Sequence, residues 1–384
     1  HDCPYGLHAQ RSMSGIMSSH KRTEYRPDID GLRAIAVSAV LIFHAFPDWI
    51  DGGFVGVDIF FVISGFLISS VILKDLRRDT FSYLDFYMRR VRRIFPALAL
   101  ILASCLLLGW FLAYPDEYAS LGKHVAAGAA FVSNIALWRE TGYFDATTET
   151  KPLLHLWSLG IEEQFYIVWP LLVAFLFKRT RGLLPIVAAL ALSSFFLNIW
   201  FISTKPSATF YLPVTRLWEL LIGSLLAHVT SLHGGLAGAL VTRFLPLALS
   251  PTRLRLFHNL SSWTGLLLIS AAIVLTDRRT FPGWWALLPT IGSLLVISAG
   301  PEAWFNRKVL SHAAFVFVGL ISYPLYLWHW PLLTFARYFE FGQISLAIRG
   351  MIVVLSLLLA WLTYRWLERP IRTGTLTRRT PAIL

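Results

Sequence analysis

Two side chains that a membrane helix normally avoids stand eleven positions apart in the run from Asp30 to His44, DGLRAIAVSAVLIFH. Arg33 is a fixed cation with a forked set of donors, and His44 carries the side chain that titrates nearest neutral pH. An imidazole there can act as general base or as nucleophile. Eleven helical steps separate the two by about 16 Å along the axis, roughly half a hydrocarbon core. With Arg33 near one membrane face, His44 lies well inside. The simpler reading is a buried His bonded to a neighbouring helix, but an ionisable group at this depth usually faces a polar cavity.

Four further clusters have chemical potential. Gly56-Val-Asp-Ile-Phe-Phe-Val-Ile-Ser-Gly65 places Asp58 and Ser64 inside an apolar run. Its small residues allow close helix approach, and Asp58 can also be read as interfacial. Arg89-Arg-Val-Arg-Arg93 offers guanidinium forks that suit phosphate; the plainer reading is a basic loop or lipid-headgroup contact. His155, Glu162 and Glu163 lie in LHLWSLGIEEQFY, with Glu162 two helical turns after His155 so that both can share a face. Arg216 and Glu219 form an i, i+3 pair. The aromatic run Ser322–Pro331 holds His329 and two prolines and is expected to be kinked and cavity-lining.

Helices must position these groups. Hydrophobic residues make up 56% of the 384 residues and charged ones only 15%, and mean hydropathy is +0.60. That excludes a soluble domain, where about a quarter would be charged. Segments apolar all round also exclude a barrel. The expected fold class is all-α, a polytopic membrane protein of about ten transmembrane helices near 31–46, 54–73, 94–113, 158–177, 182–202, 214–229, 262–276, 285–300, 313–335 and 348–366. A short segment, His124–Trp138, is expected to be re-entrant or interfacial. The net charge of +12 calls for basic cytoplasmic loops rather than nucleic acid. That rule puts Lys74–Arg93 and both termini in the cytoplasm; Arg278-Arg279 breaks the pattern. Cys3 and Cys105 give neither a disulfide framework nor a thiolate metal site. Residues 1–24 are expected to be a disordered leader or expression remnant, and 373–384 a cytoplasmic tail.

Several blocks in order resemble one family. Tyr25-Arg-Pro-Asp-Ile-Asp-Gly-Leu-Arg33 with His44 resembles the Arg-x10-His signature of the acyltransferase family 3 membrane O-acyltransferases. Phe60-Phe61 with Ser64-Gly65 resembles its Phe-Phe-x-x-Ser-Gly element, and Arg89–Arg93 contains its Arg-x-x-Arg motif twice. His155–Tyr166, Tyr323–Pro331 and Glu368–Arg372 look like further family blocks. The similarity covers 25–372, above all to the bacterial subgroup that O-acetylates surface polysaccharides such as lipopolysaccharide O-antigen.

The resemblance implies an inner-membrane enzyme moving an acyl group, with that family's bias to acetyl, from cytoplasmic acetyl-CoA to a hydroxyl of a lipid-linked or surface carbohydrate, without a metal. It implies His44, Arg33, Glu162 and Glu163 as catalytic residues. Arg89, Arg90, Arg92, Arg93, Phe60, Phe61, Ser64 and Gly65 would bind the donor. His155, Trp157, Arg216, Glu219, Tyr323, Trp328 and His329 would bind the acceptor. Whether His44 deprotonates the hydroxyl or takes the acyl group itself stays open. The subgroup often carries a periplasmic SGNH-type domain after an additional span, which would begin near Leu384; a truncated chain and a standalone membrane domain are both compatible. The rival reading is a transporter or flippase with the same polar interior.

Charge parity predicts that residues 139–151 face the periplasm, because Lys178, Arg179 and Arg181 would otherwise lie outside. With Cys3 and Cys105 replaced, a Thr147→Cys variant should react with an impermeant maleimide in intact cells. Labelling only after the inner membrane is broken would contradict this topology.

Overall fold

The computed structural model describes residues 25–141, 150–179, 182–233, 250–277, 280–339 and 344–373. The expected leader, the tail from 374, Arg278-Arg279 and residues 142–149 of the 139–151 loop lie outside them. Among the described residues there are helices and turns but no strand.

The helices are α1 (Pro27–Ala45), α2 (Gly56–Arg77), α3 (Tyr83–Leu112), α4 (Pro115–Ala129), α5 (Ser133–Glu140), α6 (Leu156–Arg179), α7 (Leu183–Phe201), α8 (Pro206–Tyr211), α9 (Pro213–His233), α10 (Pro251–Leu275), α11 (Leu287–Ala299), α12 (Ala313–Leu320), α13 (Ser322–Phe339) and α14 (Leu346–Leu362). Local chemistry explains several starts. Pro27 stands in the first turn of α1, Asp28 and Asp30 favour its positive end, and His44 falls in its last turn. Ser82 caps α3 by accepting from the Asp85 amide.

Seven described helical stretches are long and apolar enough to cross a membrane, and the pair α12–α13 makes an eighth, bent by 64°. The bend falls at Ile321, just before Tyr323-Pro324, so the expected kink opens at the start of the aromatic run. α1 carries Asp28, Asp30 and Arg33, and the stretch Gly283–Ala299 is shorter. Among the described residues the expected ten spans therefore become eight by length and apolarity, plus these two helices. The His124–Trp138 segment is not one element: α4 ends at Ala129, Phe131 takes a φ of 57°, and α5 follows.

α1 is the central rod. It packs against α2, α12 and α13, and most of its side chains are buried. Its N-terminus is latched: Arg26 grips Asp28 at 2.7 Å and donates to the Ile297 carbonyl, while Asn306 donates to Asp28. Close approach elsewhere depends on glycine. A Cβ on Gly65 would collide with the Leu220 carbonyl of α9, and one on Gly319 with the Asp30 carbonyl of α1. Gly65, expected at the donor site, is thus a packing residue for α2 against α9.

Gly65→Val should destabilise the protein by about 1–3 kcal/mol, the usual cost of forcing bulk into a packed contact. A clear fall in melting temperature in detergent is the expected result; unchanged melting would show that the two helices are not in contact.

Candidate active site

Two cavities lie on either side of the middle of α1. The first has a volume of about 270 Å³ and is bordered by His44, Asp58, His155, Trp157, Arg216 and Trp330, among others. His44 Nδ1 lies 3.0 Å from His329 Nε2, with the rings nearly parallel at 16°. His329 Nδ1 lies 3.2 Å from the Leu325 carbonyl one turn back on α13. A carbonyl only accepts, so His329 carries its proton on Nδ1. His329 Nε2 is then an acceptor, His44 donates from Nδ1, and the lone pair of neutral His44 sits on Nε2. Trp330 stands edge-on to His44 at 4.6 Å, and its indole N–H donates to the Lys151 carbonyl. His155 stands just before α6, 5.7 Å from the His329 ring.

The wall behind this chamber is ionic. Arg216 on α9 lies 3.0 Å from Asp58 of α2 and 2.9 Å from Glu219, all three fully buried. Phe61, Trp157, Phe210 and Phe281 surround the guanidinium at 5.2–5.8 Å. Asp58 is therefore not interfacial. Its carboxylate is tied to a cation on a helix 158 residues away. Glu219 belongs to the same triad and does not border the chamber.

The second cavity, about 90 Å³, is bordered by Arg33, Arg90, Arg93, Glu162, Glu163 and Tyr323, with Phe60, Phe61 and Ser64 on its apolar side. Glu162 accepts hydrogen bonds from the hydroxyls of Ser64 and Tyr166. Tyr323 donates to the Ile94 carbonyl at 3.0 Å. Arg33 lies 3.6 Å from Asp30, which also accepts from the Tyr25 hydroxyl. Burial, and then Asp30, push the Tyr25 phenol above its ordinary value.

Two expectations change. His155 and Glu162 do not share one site: His155 borders the His44 chamber and Glu162 the arginine cavity. The His44 imidazole meets His329 of α13. Only Arg90 and Arg93 of the basic run border the cavity; Arg89 and Arg92 are exposed on the other face of α3, Arg89 beside Asp75. The helical phase of α3 held this signal, since Phe86, Arg90, Arg93, Ala97 and Ile101 follow one stripe. Trp328 donates to Thr363 and borders neither cavity. Tyr326, Ser158 and Tyr166 also border the cavities, beyond the residues expected from the sequence; Tyr326 sits one turn before His329 on the same face of α13, and that spacing is the clue the sequence holds. Among the described residues, no group of three or more His, Cys, Asp or Glu could hold a metal ion.

Comparison with known proteins gives the family. The family model described as an acyltransferase domain matches residues 26–365. The chain is 32% identical over 360 residues to a Listeria monocytogenes protein named peptidoglycan O-acetyltransferase OatA, covering 91% of this chain and 56% of that one. It is 33% identical over 363 residues to the Staphylococcus aureus O-acetyltransferase OatA, covering 91% and 57%. It is 31% identical over 368 residues to the Bacillus subtilis putative peptidoglycan O-acetyltransferase YrhL, covering 92% and 56%. The chain thus spans a little over half the length of these relatives. No solved structure matches it. With its cavities bordered by the blocks that the model spans, this integral membrane chain belongs to the acyltransferase domain family.

Proposed function

We propose that the chain is the membrane domain of an O-acetyltransferase that takes an acyl group from acyl-CoA in the arginine cavity and delivers it to a carbohydrate hydroxyl in the His44 chamber. The observation that carries this is the placement of Arg33 and His44: one unbroken helix puts a cation in one cavity and a bonded imidazole in the other. Arg33, Arg90 and Arg93 suit the phosphates of CoA, and Phe60, Phe61 and Leu67 admit a thin apolar arm. Ser64 and Tyr166 occupy Glu162, which limits its repulsion of an anionic donor.

His44 Nε2 takes the proton of the acceptor hydroxyl, and His329 holds the tautomer that leaves its lone pair there. The alkoxide attacks the thioester carbon, the C–S bond breaks, and the proton passes to the thiolate. Separate cavities let both substrates bind together, so direct transfer needs no acyl-enzyme. The positive-inside reading puts the arginine cavity at the cytoplasmic face of the inner membrane and the His44 chamber towards the periplasm. Chemically the acceptor is a cell-surface carbohydrate. The relatives' names favour peptidoglycan over O-antigen.

His44→Ala should lower O-acylation about 10²–10⁴-fold at normal membrane levels, as loss of a general base does. Mass spectrometry of cell-surface glycan reads this, and wild-type modification would sink the mechanism. Replacing Arg90 and Arg93 with Gln should raise KM for acyl-CoA at least about tenfold. The same change at Arg89 and Arg92 should leave it within about twofold. Equal effects from both pairs would favour the lipid-contact reading of the basic run.

A further inference from the structure

The linings of the two cavities have two residues in common, Val57 and Tyr326. Val57 stands in the first turn of α2 and Tyr326 on α13, so two different helices supply the shared lining. We propose that they form the port through which the acyl group passes from donor cavity to His44 chamber, and that its bore selects short acyl groups. This inference rests on the donor and acceptor assignments above.

Both sides of the port are held. On the α2 side, a Cβ on Gly56 would collide with the Ala36 carbonyl of α1. The backbone at Val57 therefore cannot withdraw without moving the central helix. Val57 is β-branched, so its χ1 is restricted too. On the α13 side, the Tyr326 hydroxyl donates to the His155 carbonyl at 2.6 Å and takes a 2.7 Å hydrogen bond from Ser158. Its ring lies 5.3 Å from His155 and 5.5 Å from His329. Tyr326 thus packs against His155 and His329, while Ser158 faces the donor cavity. A side chain fixed at its tip and packed on two rings does not swing aside for a bulky substrate.

The consequence is steric selection. An acyl chain must precede its thioester through the port, so each added methylene has to pass or lodge between a stiff Val and a tethered Tyr. Apolar sites of fixed size discriminate by about tenfold or more per methylene. Acetyl carries one methyl beyond the carbonyl and is the group such a port favours.

The test uses the purified protein in nanodiscs with acetyl-, butyryl- and hexanoyl-CoA and one acceptor glycan. Val57→Ala should raise the ratio of butyryl to acetyl transfer at least about tenfold; a ratio is independent of how much protein folds. Val57→Phe should cut acetyl transfer by a similar factor while CoA still raises the melting temperature as in wild type, which shows folding and donor binding intact. An unchanged ratio in Val57→Ala, or undiminished transfer in Val57→Phe, overturns the port and leaves the donor assignment standing. A wild type that transfers no group from any of the three donors overturns the donor assignment, and the port with it.

Discussion

An ionisable side chain inside hydrocarbon must find a partner or a polar cavity, and that requirement organises this fold. The polar groups are joined between helices far apart in sequence. His44 of α1 bonds His329 of α13, Asp58 of α2 pairs with Arg216 of α9, and Ser64 of α2 donates to Glu162 of α6. Removing one member of a fully buried pair leaves an uncompensated charge at a cost of about 3–5 kcal/mol. The same contacts that neutralise the interior therefore fix the helices that wall the cavities.

α1 turns that constraint into function. A continuous helix holds its residues at fixed separations, so Arg33 and His44 stay about 16 Å apart along the axis whatever the surrounding helices do. The cavities on either side of its middle differ in character: three guanidiniums border one, two histidines the other. Around this rod, Gly319 and Gly56 bring α12 and α2 into backbone contact with it. The apolar packing thus keeps the two cavities in register.

Arg33 and His44 were legible in the sequence because a charge in an apolar run is conspicuous, and the all-helical membrane fold followed from the same contrast. Partnerships were not. His44 and His329 are 285 positions apart, and no local pattern announces which imidazole a histidine will meet. Asp58 looked interfacial because its cation is supplied by another helix. Arg90 and Arg93 could have been separated from Arg89 and Arg92, since the buried stripe of α3 already runs through Phe86 and Ala97. His155 and Glu162 misled for the opposite reason. Seven positions would put them two turns apart on one helix face, but His155 lies in the turn before α6, and the two border different cavities.

Transfer between opposite sides of one membrane domain is the central claim, and sealed proteoliposomes test it most directly. Acyl-CoA is enclosed in the lumen, the acceptor glycan is supplied only outside, and acylated glycan is measured in the external medium against free thiol released inside. The geometry predicts acylated glycan outside and one thiol inside for each acyl group moved, without leakage of donor. Acylation that occurs only when donor and acceptor share a compartment would contradict it.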